Sequence, residues 1–303
     1  MRRAACHICV IAALAALLGP TAGAGEYTFQ YQKTIDMSGP LELSLELATG
    51  SVQVTSGEVD RLVIEAVKRV KAVDKQEAEE VADHIEIRVD QNKNQVAVAT
   101  NYLRMGSRSR SFWQKLLGSG PDSFGDVDYT ITVPATKKLL IKAMSAQVAL
   151  SNIEADIEVD NAAGVFHGEF LSGPVTIRQP AGRIDLQWVE GDIRISSTSA
   201  EIGVSQVRGA LDLTSRTGDI NIKTELNSPN DFYVETETGR IVFAVPETSS
   251  GRFQIESQAG GIASEVPLAI ISAARHRFVG EYGTGGPKVT LHTASGDVTL
   301  AMY

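Results

Sequence analysis

Glu201 and Asp219 stand eighteen residues apart, each directly before an apolar–polar–apolar triplet, "IGV" and "INI". Two carboxylates held about 5 Å apart are the machinery of retaining glycoside hydrolysis, one as nucleophile and the other as acid and base. That chemistry needs a partly desolvated acid and a cleft with walls. Arg183 and Arg240 occupy the same position before "IDL" and "IVF". The run Arg183, Glu201, Asp219, Arg240 therefore also reads as a charge ladder, in which Arg183 neutralises Glu201 and Arg240 neutralises Asp219. The turns around these residues are only a few residues long, too short to wall a cleft. The ladder is the preferred reading, and the carboxylate pair is the alternative.

A second constellation lies in "RMGSRSRSFWQKLLGSGPDSFGD". Arg104, Arg108, Arg110 and Lys115 stand beside Phe112, Trp113, Leu116 and Leu117. Basic and aromatic side chains together suit an anionic, partly apolar partner such as a lipid headgroup surface or an acidic envelope polymer. The competing reading is a solvated surface insertion over 104–127. If the protein has a discrete interaction site, this loop is expected to belong to it.

The remaining candidates read as structure. Gly280, Gly283, Gly285 and Gly286 are followed by Pro287 and the strand-like "KVTL", where a phosphate cradle needs a helix start. His84, His167, His276 and His292 lack zinc-site spacing. His167 falls in line with Leu186 and Val204, so it is expected to face inward. The Gly-Asp pairs at 191–192, 218–219 and 296–297 are sparser than a calcium-binding nonapeptide repeat and read as turn formers. No metal, cofactor or catalytic residue is expected.

The elements that would position these residues repeat along the chain. "AGRIDL", "SAEIGV", "TGDINI", "TGRIVF" and "SGDVTL" share one shape, a small turn followed by an alternating triplet. The leading apolar positions are Val165, Val175, Ile184, Ile193, Ile202, Leu211 and Ile220, a step of ten residues and then steps of nine. Two such strands and their turns make a unit of about 18 residues, within the range of solenoid repeats. Stacking would align Ile184, Ile202, Ile220 and Ile241 in one column, and Leu186, Val204, Ile222 and Phe243 in the next. Ile193 and Leu211 would start the opposite wall. A β-sandwich of ordinary hairpins has similar strands but needs no constant step.

Upstream, "LELSLELATGSVQV", "RLVIEAVKRV", "HIEIRV", "QVAVAT" and "VDYTITVP" read as strands. One helix is expected over Asp74–His84, with Asp74 as its cap and Ala78, Val81 and Ala82 facing inward. At the N-terminus, Arg2 and Arg3, the apolar run Ile8–Leu18 and the small residues Ala22 and Ala24 have the form of a secretory signal cleaved after Ala24. Cys6 and Cys9 fall inside it, so no disulfide or thiol chemistry is expected afterwards. Subtracting Arg2 and Arg3 from the 28 basic side chains leaves 26 against 37 acidic ones, a net of −11. That balance argues against nucleic acid as a partner.

The C-terminal "GEYGTGGPKVTLHTASGDVTL", the "DYTITVP" before the repeats and the recurring "TGDI" and "SGDV" turns carry a family resemblance. Over roughly Leu41 to Met302 the chain resembles the bacterial "putative adhesin" family, exported β-solenoid domains of unknown function related to the head-GIN type. The resemblance implies fold and an envelope location and transfers no site residues.

The sequence therefore predicts an all-β chain, a single β-solenoid of stacked coils. A signal occupies 1–24, a β-rich part with one helix 25–135, and the solenoid repeats 136–303. The expected role is non-catalytic, an envelope or cell-surface interaction module in the periplasm or on the surface. Its expected partner is an envelope polymer, an anionic lipid surface or another envelope protein. The alternatives are a polysaccharide-active enzyme using Glu201 and Asp219, and a purely structural envelope component.

Overall fold

The computed structural model describes residues 25–57, 60–102 and 125–303. The expected signal and the basic-aromatic stretch from Arg104 to Lys115 lie outside the described residues. The chain divides into two compact units between Ala135 and Thr136.

In the first unit, strand Gly25–Asp36 runs antiparallel to Arg61–Ala72, which runs antiparallel to Asp126–Val133. The second half of Leu41–Ser56 is parallel to Asp126–Val133, and its first half is parallel to Gln95–Tyr102. The latter forms a hairpin with Ile85–Asn92. Period-2 patterning puts Leu41, Leu43, Leu45, Val52 and Val54 in the core of this unit. The helix spans Lys75–Asp83. Asp74 caps it by accepting from the Glu77 amide at 2.9 Å, and Ala78, Val81 and Ala82 are buried as the spacing predicts. Strand pairing begins at Asp126, so the expected insertion 104–127 is too long by two residues at its C-terminal end.

In the second unit the nine-residue step becomes geometry. Successive strands alternate between two walls, and each lies parallel to the strand one coil on. Ile184, Ile202, Ile220 and Ile241 are register partners, as are Leu186, Val204, Ile222 and Phe243. On the opposite wall Ile193 partners Leu211, which partners Phe232. All of these side chains are buried. Neighbouring strands sit about 4.8 Å apart, so each column is a continuous apolar spine. The fold is a β-solenoid.

Corners explain the small residues that precede each triplet. At Gly182 (φ +109°) an added Cβ would lie 1.8 Å from the Gly164 carbonyl oxygen one coil below. No side chain fits there, and the left-handed backbone is costly for any residue but glycine. Buried amides satisfy the corner carbonyls. Gln179 donates to the Gly164 and Arg183 carbonyls at 3.1 and 3.0 Å. Asn161 bridges Ala146 and Gln179.

Two features depart from the sequence reading. Phe166, not Val165, joins the inward column, paired with Val148 and Ile184. The step before Val175 is then nine residues, Val165 is 43% exposed, and His167 turns outward opposite Asp185. Because side chains alternate with period 2, this one-residue shift reverses the face of all three positions. The winding order also breaks near the end. Strand Lys288–Ser295 inserts between Phe232–Thr238 and Gly251–Ser257, parallel to both. On the other wall Val298–Met302 inserts between Ile241–Val245 and Ile262–Ser264. The hairpin Ala269–Ala274/Arg277–Tyr282 then pairs antiparallel onto Gly251–Ser257.

Candidate functional site

The outward positions of the solenoid carry its charged side chains, and many are paired between coils. Arg194 meets Asp212 at 3.1 Å, Arg208 meets Glu190 at 3.0 Å, and Glu158 is shared by Arg178 at 3.0 Å and Lys138 at 3.6 Å. The Arg178 hydrogen bond, helped by Lys138, holds the Glu158 carboxyl below its usual range.

Asp219 belongs to this pattern. Its Oδ1 accepts from the Arg240 backbone amide at 3.0 Å, and its Oδ2 accepts from the Arg240 guanidinium at 3.2 Å. Both oxygens are engaged by one residue of the next coil. Glu201 precedes the Ile202–Ile220 register pair, which sets it beside Asp219, and Arg183 is its backbone register partner on the other side, without the ion pair the ladder predicts. Glu201 and Asp219 are both exposed. The other Gly-Asp turns behave alike. Asp192 Oδ1 accepts from the Ala210 amide and Asp297 Oδ1 from the Gly261 amide, each at 2.8 Å. These aspartates sit in turns, as the sequence reading has them, and their side chains clip one coil to its neighbour.

The glycines near 280 form a turn. Gly283, Gly285 and Gly286 have φ of +67°, +76° and +87° and lead into strand Lys288–Ser295. Among the described residues, no cluster of three or more histidines, cysteines or carboxylates is placed to hold a metal ion.

Two outward features were not read from the sequence. The first is a shallow depression of about 280 Å³ on the wall built by the inserted C-terminal strand, lined by Tyr233, Glu235, Gln254, Glu256, Thr290 and His292. Glu235, His292 and Glu256 are register partners across three strands there. The Tyr233 hydroxyl donates to Glu235, and that bond pushes its phenol up to about 12. The pairing depends on an inversion of chain order that leaves no local signal.

The second is an aromatic pair at a corner of the other wall. Phe170 and Trp188 lie one coil apart with ring centroids 6.4 Å apart and planes within 11°. They are 51% and 55% exposed. Their backbones are left-handed, with φ of 52° and 56°, as is Asn152 one coil earlier at 54°. The signal for this pair was the eighteen-residue spacing itself, applied to aromatic residues.

The Toastrack DUF4097 family profile matches residues 41–301. The chain belongs to the Toastrack DUF4097 family. No curated protein matches it. Among solved structures, a "putative cell adhesion protein" from Clostridium sporogenes is 10% identical, with 91% of this chain and 100% of that one covered and a TM-score of 0.30. A "putative adhesin" from Parabacteroides merdae is also 10% identical, with 90% and 96% covered and a TM-score of 0.37. A "putative adhesin" from Bacteroides fragilis is 11% identical, with 90% and 97% covered and a TM-score of 0.32. Among the described residues of this Toastrack chain, no helix is long and apolar enough to cross a membrane.

Proposed function

We propose that this Toastrack chain is a non-catalytic, exported interaction module of the cell envelope or surface. The observation that carries this reading is the Phe170–Trp188 pair, two large rings held out from the solenoid. Exposed contiguous apolar surface on a soluble chain marks contact with a partner. The partner is an envelope polymer, an anionic lipid surface or another envelope protein, and the basic-aromatic residues Arg104, Arg108, Arg110, Phe112, Trp113 and Lys115 form a second contact surface. The enzyme alternative is disfavoured because Asp219 already gives both oxygens to Arg240.

The test is cosedimentation of the purified mature protein with envelope fragments and with anionic vesicles, followed by analysis of the soluble products. Binding without new saccharide ends is expected, and replacing Arg104–Gly120 by a Gly/Ser linker should weaken vesicle association. Saccharide cleavage that disappears in Glu201→Gln or Asp219→Asn would replace this reading with the enzymatic one.

A further inference from the structure

Three successive coils turn the same corner with a left-handed residue, and only the first is a residue suited to it. Asn152 tolerates that backbone, whereas Phe170 and Trp188 hold it at a steric cost that glycine or asparagine would avoid. Both rings are also more than half exposed. The chain thus accepts backbone strain and apolar exposure at the same two residues, and the result is a parallel stack of two rings.

The stack stops at Trp188 for a structural reason. The residue eighteen positions on is Gln206, which turns inward, is 3% exposed and donates to the Gly191 and Ala210 carbonyls at 2.7 and 3.1 Å. The strand register slips at this point, with Val189 rather than Trp188 opposite Gln206. No ring from the equivalent position of the next coil therefore extends the stack, and among the described residues the aromatic neighbour of Trp188 is Phe170.

Beside the rings, the outer surface of the same two strands is polar. Gln187 precedes Trp188 and partners Glu169 in register. Its amide donates to Asp185 Oδ2 at 3.2 Å, and His167 Nδ1 lies 3.2 Å from the same oxygen. Asp185 and Gln187 lie on the outward positions of this strand, each with a second side-chain oxygen able to accept.

We propose that the face of Trp188 turned away from Phe170 stacks against a neutral pyranose ring of a saccharide chain, with Asp185 and Gln187 of the same strand accepting from its hydroxyls. This rests on the interaction-module reading and names its ligand class. The C–H face of a pyranose is weakly positive and complements the negative face of an indole, while the ring hydroxyls need acceptors around the rim. The Asp185 carboxylate on the same strand disfavours sulfated or uronic sugars.

Calorimetric titration of the mature protein with cellotetraose, chitotetraose and dextran sulfate tests this. Indole fluorescence, read in a Trp113→Phe background, follows the same titrations. One of the neutral tetrasaccharides should bind and shift the emission, and dextran sulfate should not compete. Trp188→Ala should weaken binding at least about tenfold, and Phe170→Ala less. Trp188→Gly suits the left-handed backbone, so it should stay folded while abolishing binding, which separates a lost site from a lost fold. Unchanged affinity in Trp188→Gly, or no binding of either neutral tetrasaccharide by the parent at millimolar concentration, overturns the proposal. If envelope fragments still bind in that case, the interaction-module reading survives alone; if they do not, both fail.

Discussion

Adjacent residues Glu201 and Ile202 should respond oppositely to substitution, because one points to solvent and the other into the column between Ile184 and Ile220. Ile202 is 1% exposed. Truncation to alanine removes packed methyl groups from a site flanked by rigid strands, at a cost of about 2–5 kcal/mol. Ile202→Asp loses the same packing and adds a carboxyl with no partner, a further penalty of roughly 2–7 kcal/mol. The sum is comparable to the ~5–15 kcal/mol that separates typical folded and unfolded states. Ile202→Asp should therefore lose the β-spectrum of the repeat unit. Glu201→Gln should change stability by less than about 1 kcal/mol, as exposed charges generally do. Urea titrations followed by far-ultraviolet dichroism measure both. A slip of one residue would exchange the two faces. A stable Ile202→Asp together with an unfolded Glu201→Gln would refute the register.

Gly182→Ala should cost about 3 kcal/mol or more, since it adds a strained φ to a collision with the Gly164 carbonyl. Gly285→Ala is the control, with φ +76° but nothing within 4 Å of the added carbon, and should cost only about 1–2 kcal/mol; equal urea midpoints for the two would discount the crowding. Tyr233 should titrate near 12 instead of its ordinary 10. Because the folded value is raised, its contribution to stability is full below pH 10 and is lost as pH rises through about 12. Phenolate absorbance, taken as the difference from Tyr233→Phe, should show this step, and Glu235→Gln should move it back down; a step at 10 in the parent would show that the hydrogen bond is not held in solution.

Much of this protein is written locally. Alternation with period 2 sorted the core columns from the outer faces, and the nine-residue step required the strands to stack. Small residues before each triplet marked corners that a Cβ would block, as at Gly182. Asp74 announced the helix Lys75–Asp83 through its own cap. These signals survive in sequence because each acts within a single coil or turn.

Tertiary structure decided what depends on which coil lies next to which. Parallel strands with the same alternating pattern are interchangeable neighbours, so nothing local places Lys288–Ser295 between Phe232–Thr238 and Gly251–Ser257. The register of the assembled stack, with Gly164 opposite Gly182, puts Phe166 rather than Val165 in the column and sends His167 outward to Asp185. The ion pair of Arg240 with Asp219 forms as the ladder predicts, and the stack adds a bond from the Arg240 backbone amide to the same carboxylate. The aromatic pair required both levels. Its eighteen-residue spacing is visible in the sequence, but its exposure, its left-handed corners and the inward turn of Gln206 exist only once the coils are stacked.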